Sequence, residues 1–210
     1  MLKILIVDDH AVVRAGLKQI LAETPDMKVA GEASSGNEAL EMALHGSFDL
    51  VLLDISMPDM SGLDVLKELH MVHGDLPILM LSMYPEEQYA IRALKAGAKG
   101  YLTKESAPDE LISAIRKVSQ GGRYISLSLA ENLAFYLGSD ASKSPHQLLS
   151  DREYQVMLMI ASGKTVSEIA DELVLSVKTI STNRHRSLQK MGMKNNAEFT
   201  YYAIKEGLVR

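Results

Sequence analysis

MLKILIVDDH, residues 1–10, sets four consecutive apolar side chains, Ile4, Leu5, Ile6 and Val7, directly before two adjacent carboxylates, Asp8 and Asp9. An unbroken run of this kind reads as a strand buried on both faces. The acids at its end repel each other, and burying either one unpartnered costs several kcal/mol, roughly. Something positive is expected nearby. Working outward, short apolar runs recur as KVAGEA (28–33), LVLLD (50–54), ILMLS (78–82) and GYLT (100–103). Between them the spacing is helical, as in Val12, Val13, Leu17, Ile20 and Leu21, and again in Ala39, Leu40, Ala43 and Leu44. Strands alternating with helices predict a doubly wound, five-stranded parallel sheet, because parallel strands need crossovers and the crossover helices cover both faces.

In open sheets of this class, chemistry gathers outside the carboxyl ends of the strands. Asp8 and Asp9 end the first run, Asp54 the third and Ser82 the fourth, while Thr103 and Lys104 close the fifth. Residues distant in sequence are thereby brought to one rim. Three carboxylates there suit a hard divalent cation with oxygen ligands, most simply Mg2+. A cation so held makes one of the carboxylates a reasonable phosphoryl acceptor. Lys104 can pair first with that carboxylate and then with the phosphoryl group, and Ser82 offers a hydroxyl to a phosphate oxygen. His10 reads as a hydrogen-bonded neighbour of the acids rather than a ligand. His70 and His73 read as a solvated helix end.

The 210 residues suffice for two modest domains, each with its own core. Cysteine is absent, which excludes disulfides and thiolate metal sites. No apolar run approaches the roughly 18–20 residues of a membrane span, so a soluble, cytoplasmic protein with no membrane partner is expected. The net charge of -5 is unevenly spread. Residues 1–144 carry 13 Lys+Arg against 20 Asp+Glu, and residues 145–210 carry 9 against 7. Within the latter, VKTISTNRHRSLQK (177–190) holds Lys178, Arg184, Arg186 and Lys190 without one acid. The two ends are suited to different partners.

After a last helix of the α/β unit, Asp109 to Ser119, the sequence turns irregular. A short helix over Leu129 to Leu137 and a Gly, Ser, Asp and Pro-rich stretch from Gly138 to Pro145 read as a linker. Domains are expected at 1–121 and 147–210, joined by 122–146. From Leu149 the pattern is all helical. Ser150 with Glu153 forms a capping-box signature, and Ser167 starts a second helix over Glu168 to Leu173. After the turn Val174-Leu175-Ser176 comes a third helix, Val177 to Met191, and a fourth runs from about Asn196 to Glu206. Two short helices joined by a three-residue turn form a helix-turn-helix, so the second domain is read as a small four-helix unit of that type.

VDDH, VLLDISMPDMSG, ILMLS and GYLTK, in this order and spacing, resemble the flavodoxin-like receiver domain of two-component response regulators. LSDREYQVMLMIASGKTVSEIADELVLSVKTISTNRHRSLQKMGM resembles the LuxR-type helix-turn-helix of the NarL/FixJ kind. The resemblance implies a transcription regulator, not an enzyme, phosphorylated on Asp54 by a sensor histidine kinase. It implies Mg2+ held by Asp8, Asp9, Asp54 and the backbone carbonyl of Ser56, with Ser82 as switch hydroxyl, Lys104 as phosphate partner and Tyr101 as the switch aromatic. It further implies that Ser181, Thr182 and His185 face bases of double-stranded DNA while Lys178 meets phosphate. Arg184 and Arg186 are additional backbone candidates. Phosphorylation would control homodimerisation on promoter half-sites, release of the DNA-binding domain, or both. The alternative is a metal-dependent phosphatase with an aspartyl nucleophile. Such enzymes usually carry a second acid two residues on, where this chain has Ser56, so that reading lacks its general acid.

Overall fold

The apolar runs form five parallel strands: β1 (Leu2–Val7), β2 (Met27–Ala33), β3 (Leu50–Leu53), β4 (Ile78–Ser82) and β5 (Gly100–Thr103). The computed structural model describes residues 1–106, 108–138 and 144–209. Strand order is β2-β1-β3-β4-β5, so the order reverses between β1 and β3. A crevice for ligands opens at such a reversal, and here it falls between the strands that end at Asp8 and Asp54.

Five helices cover the sheet: α1 (Ala11–Ala22), α2 (Gly36–His45), α3 (Gly62–Val72), α4 (Glu86–Lys95) and α5 (Pro108–Ser119). Period-2 alternation sends Ile4 and Ile6 to one face with Leu50, Leu52, Leu79, Leu81 and Leu102, where Leu17 and Leu21 of α1 and Leu111 and Ile115 of α5 close the core. Leu5, Val7, Val51, Leu53 and Met80 are equally buried on the opposite face. Each such side chain removed from water stabilises the fold by roughly 1.5–3 kcal/mol, which holds the charged rim in place.

The described residues fall into two compact units, Met1–Glu131 and Asn132–Arg210. The first extends past the expected edge at residue 121 because the chain after α5 ties itself back to the sheet. Tyr124 bridges Gly100 in parallel, and its amide donates to the Lys99 carbonyl at 2.8 Å. The Tyr124 hydroxyl donates to Glu110 at 2.7 Å, and the hydroxyls of Ser126 and Ser128 both donate to Glu86 Oε2, at 2.5 and 3.1 Å. A sixth helix, α6 (Leu127–Gly138), follows, starting two residues before the expected Leu129. The irregular stretch read as linker lies largely outside the described residues.

In the second unit a 3-10 turn (Pro145–Leu148) precedes α7 (Asp151–Ala161), α8 (Val166–Glu172), α9 (Val177–Met191) and α10 (Asn196–Lys205). The α7 capping box forms as expected: Ser150 Oγ accepts from the Glu153 amide, and the Glu153 carboxylate accepts from the Ser150 amide at 2.8 Å. For α8 the expectation of a start at Ser167 is corrected. Thr165 is the cap, its hydroxyl accepting from the Glu168 amide while Glu168 accepts from the Thr165 amide at 2.7 Å, a second reciprocal box. Ser176 caps α9 by accepting from the Thr179 amide at 3.0 Å. Gly192 ends α9 in the left-handed conformation, φ 68°, that a glycine adopts without strain.

Candidate functional site

At the carboxyl rim the strand ends converge. Lys104 Nζ lies 2.6 Å from Asp8 Oδ2 and 2.8 Å from Asp54 Oδ2, all three side chains being nearly sealed from solvent. The ammonium is the expected positive partner of the opening acids. Burial pushes Asp54 up to about 6, against the opposing pull of the Lys104 charge. Burial works to lower the Lys104 pKa, but Asp54 and Asp8 more than offset it and hold the ammonium above its ordinary value. One ammonium beside three acids leaves the rim short of positive charge.

A divalent cation fits this donor set. Among the described residues, one ligand atom each from Asp8, Asp9, His10 and Asp54 lies within 4.8 Å of the others, and Asp9 Oδ1 is sealed from solvent without a hydrogen-bond partner. Opposite ligands of octahedral Mg2+ stand about 4.2 Å apart, so small adjustments suffice. Ser56 lies two residues beyond Asp54, in the loop leading to α3. His10, read from sequence as a bystander, is a member of the cluster, its Nδ1 2.7 Å from Asp9 Oδ1.

The loop after Asp54 is held by Gly62, which the resemblance to receivers places there along with Met57 and Pro58, and by Asp59, which sequence reasoning did not single out. A Cβ on Gly62 would come within 1.8 Å of the Asp54 carbonyl oxygen, so only glycine lets α3 start against that backbone. The Gly62 amide donates to the Ile55 carbonyl at 2.9 Å. Asp59 accepts from the Gly36 and Asn37 amides at 3.0 Å each, fastening the same loop to the start of α2. Arg14 Nη1 donates to the Asp8 carbonyl at 2.8 Å. Its position about one and a half helical turns after the acids was the available signal.

Ser82 is fully buried at the end of β4, and its Oγ accepts from the Tyr84 amide at 3.2 Å. Tyr101 lies inside the fold, its hydroxyl donating to the Tyr84 carbonyl at 2.7 Å, and burial raises its phenol pKa well above the usual value. Ser82 and Tyr101 thus grip the same residue, Tyr84, from its two backbone polar groups. Two residues further, Glu86 opens α4 and accepts Ser126 and Ser128.

The second unit presents α9. Lys178, Ser181, Thr182, His185 and Arg186 are exposed, while Ile180, Ser187, Leu188 and Met191 are buried. Lys178, Thr179, Thr182, Asn183 and Arg186 line one shallow groove; Thr179 and Asn183 were not among the sequence candidates. Thr182 donates to the Lys178 carbonyl at 2.8 Å and Asn183 to the Thr179 carbonyl at 3.1 Å, which leaves their side-chain oxygens as acceptors. Arg184 is placed elsewhere. Its Nε donates to Asn196 Oδ1 at 2.5 Å at the start of α10, on the flank of α9 that carries Ile180 and Leu188. Lys190 pairs with the nearly buried Glu153 at 2.6 Å.

Comparison with known proteins agrees with both halves. Residues 4–116 match the response regulator receiver domain family, and residues 147–203 match the bacterial regulatory proteins of the luxR family. Response regulator UvrY of Escherichia coli (strain K12) is 40% identical over 209 residues, spanning 99% of this chain and 96% of the relative. Response regulator GacA of Pseudomonas protegens is 39% identical over 209 residues, 100% of this chain and 98% of the relative. Among solved structures, RcsB of Salmonella enterica serovar Typhimurium, bound to promoter rprA in the presence of the phosphomimetic BeF3-, superposes with a TM-score of 0.67 at 26% identity over 96% of this chain and 97% of that one. A LuxR-family two-component response regulator from Aurantimonas sp. SI85-9A1 superposes with a TM-score of 0.62 at 31% identity, covering 66% of this chain and 99% of that one. The chain therefore belongs to the NarL/FixJ family of DNA-binding two-component response regulators, in which a receiver domain is joined to a LuxR-type helix-turn-helix.

Proposed function

We propose that this regulator is switched in the cytoplasm by phosphoryl transfer from a sensor histidine kinase to Asp54, and that the phosphorylated form binds promoter half-sites as a homodimer through α9. The observation that carries this reading is the placement of Lys104 Nζ within 2.8 Å of both Asp54 and Asp8 at the strand-order reversal. Asp8, Asp9, Asp54 and the Ser56 carbonyl would hold Mg2+, which when bound supplies positive charge against the transferring phosphoryl oxygens. An Asp54 carboxylate oxygen attacks the donor phosphorus, the bond from phosphorus to the kinase imidazole nitrogen breaks, and the imidazole leaves with the electron pair. Lys104 turns from carboxylate to phosphoryl oxygen. Ser82 donates to another, giving up its role as acceptor from Tyr84.

That exchange links the site to the surface. Once Ser82 turns toward phosphate, Tyr84 loses one of its two anchors and Tyr101 is free to take another rotamer. On α9, Lys178 and Arg186 meet phosphates, whereas Ser181, Thr182 and His185 face base edges. The flanking Thr179 and Asn183 share that groove.

Two measurements test the reading. Wild type incubated with acetyl phosphate and Mg2+ should take up one phosphoryl group, visible by mass, and Asp54→Asn should take up none. Persistent uptake by the variant would move the acceptor elsewhere. Footprinting on promoter DNA with and without the donor should show protection strengthened by phosphorylation in wild type alone.

A further inference from the structure

At the end of the sheet opposite the acidic rim, where β1, β3 and β4 begin, the surface is hollowed into a cleft of about 770 Å3. Its volume lies within the range of small-molecule sites, roughly 300–1,000 Å3. Leu2, Phe48, Leu76 and Pro77 give it an apolar lining, and Asp49 and Asp75 stand beside them as exposed carboxylates. The walls include the carboxyl ends of α2, α3 and α5, through Gly46, His73 and Ser119. The floor is preformed by strand pairing. The Lys3 amide donates to Asp49 Oδ2 and the Asp49 amide to the Lys3 carbonyl, each at 2.8 Å, and the Val51 amide donates to the Pro77 carbonyl at 3.0 Å.

The charge of this cleft is one-sided. A helix places the equivalent of about half a negative charge at its carboxyl end, and three such ends here meet two carboxylates. Lysine or arginine ordinarily answers that charge, yet neither lines the cleft. α2 and α3 carry only His45 and His70 as basic residues in their last turns, and Arg116 of α5 is drawn aside to Asp26 at 3.1 Å. Among the described residues neither Asp49 nor Asp75 has an ion-pair partner. A further polar atom of the lining is unmatched: His73 Nε2 is sealed from solvent without a hydrogen-bond partner. An anion would meet only like charge, and a bare metal ion would leave the apolar lining uncovered. We propose that the cleft binds a small organic cation, an amine or guanidine on an apolar body. Asp49 and Asp75 pair its charge, and Leu2, Phe48, Leu76 and Pro77 cover its body. Asp49 and Asp54 stand at the two ends of β3, about 16 Å apart, so the site is separate from the acidic rim and joined to it by one strand.

Titration of the 15N-labelled full chain with 2-phenylethylamine at neutral pH, followed by amide NMR, tests it. The neutral 2-phenylethanol serves as control. The amine should shift the amides of Ser47, Asp49, Gly74 and Asp75 saturably, with an affinity on the order of 1 mM. The double variant Asp49→Asn with Asp75→Asn should bind it about tenfold more weakly. Asparagine keeps an oxygen to accept from the Lys3 amide and Asp75 has no partner to lose, so the variant is expected to fold, and its amide spectrum reports whether it does. Asp54→Asn should bind the amine as wild type does, as should Glu87→Gln, which removes an exposed acid from the first turn of α4. Equal binding of the alcohol would overturn the proposal by making the cleft merely apolar. Equal weakening by Glu87→Gln would overturn it by reducing the effect to net charge. Absence of saturable shifts at these four amides, or undiminished binding in the folded double variant, would overturn it outright.

Discussion

At the residue scale the molecule is organised around Asp54, a buried carboxylate whose burial outweighs its lysine. Its pKa of about 6 in the folded chain stands above the ordinary 3.8, so the native state binds this proton more tightly than the unfolded state does. Stability from this group is therefore greatest below about pH 4 and declines as pH rises through 6, by up to about 3 kcal/mol. In metal-free buffer, Asp54→Asn should flatten that slope and raise stability at pH 7.5 by about 1–3 kcal/mol, measured by urea denaturation between pH 4 and 8; a less stable variant would mean that the pair with Lys104 dominates. Mg2+ should erase much of the difference by stabilising wild type. Gly62→Ala tests the neighbouring backbone. With the Asp54 carbonyl oxygen 1.8 Å from the new Cβ, the loop must move, at a cost of about 3 kcal/mol and with loss of Mg2+ binding. Full retention of both would show that α3 can shift without disturbing Asp54. The strand-end acids and Lys104 were legible in the sequence because an uninterrupted apolar run has one reading and its last residue has one place, the rim. Arg14, Asp59 and His10 were less legible because their parts are played through backbone groups and loop geometry, which residue spacing reports only loosely.

At the scale of elements, α9 shows both what a helical pattern reveals and how it can be misapplied. Arg184 was named as an additional candidate for the DNA backbone, yet it stands four residues after Ile180 and four before Leu188, half-buried on their flank of the helix and bonded to Asn196. The helical phase that sets this flank could be read from the sequence, while the bond to Asn196 could not. Arg184→Ala should therefore leave the salt dependence of DNA binding unchanged, whereas Lys178→Ala and Arg186→Ala should each lower the slope of log affinity against log salt by about one unit. A drop in slope for Arg184→Ala would show that it leaves Asn196 for a phosphate. His185→Ala should change preference between sites; an equal loss on every sequence would contradict base reading. The turn ahead of α9 was legible as a turn but not as a strained one. Val174 holds φ 52° and is 72% exposed as a residue, so a β-branched residue occupies left-handed space with little burial in return. Val174→Asn should stabilise the helix-turn-helix by about 1 kcal/mol, read as a higher midpoint in calorimetry of the full chain. A lower midpoint would mean that Val174 makes contacts worth more than its strain.

At the scale of the whole molecule, the proposed phosphoryl signal has to reach a unit that shares none of the sheet, and the chain after α5 is the covalent path to it. Residues 124–128 are fastened to β5 by Tyr124 and to the first turn of α4 by two serine hydroxyls on one Glu86 carboxylate oxygen, and the division between the two compact units falls within the helix that begins there. The charge asymmetry foretold two partners and the Gly, Ser and Pro-rich stretch foretold a joint, but neither foretold this clasp, because its contacts join residues about forty positions apart. Glu86 lies two residues beyond Tyr84, which Ser82 and Tyr101 both hold, so under the proposed switch a backbone change following Ser82 toward phosphate would fall on the clasp. If the clasp restrains α6 in the unphosphorylated chain, the double variant Ser126→Ala with Ser128→Ala should bind promoter DNA without a phosphodonor several-fold more tightly than wild type, and acetyl phosphate should add correspondingly less. Phosphoryl uptake at Asp54 should be unaltered, since neither serine touches the acidic rim. Promoter affinities of the two proteins that coincide without donor and rise equally with it would mean that the signal travels by another face of the receiver, with pairing of two receivers carrying the response instead.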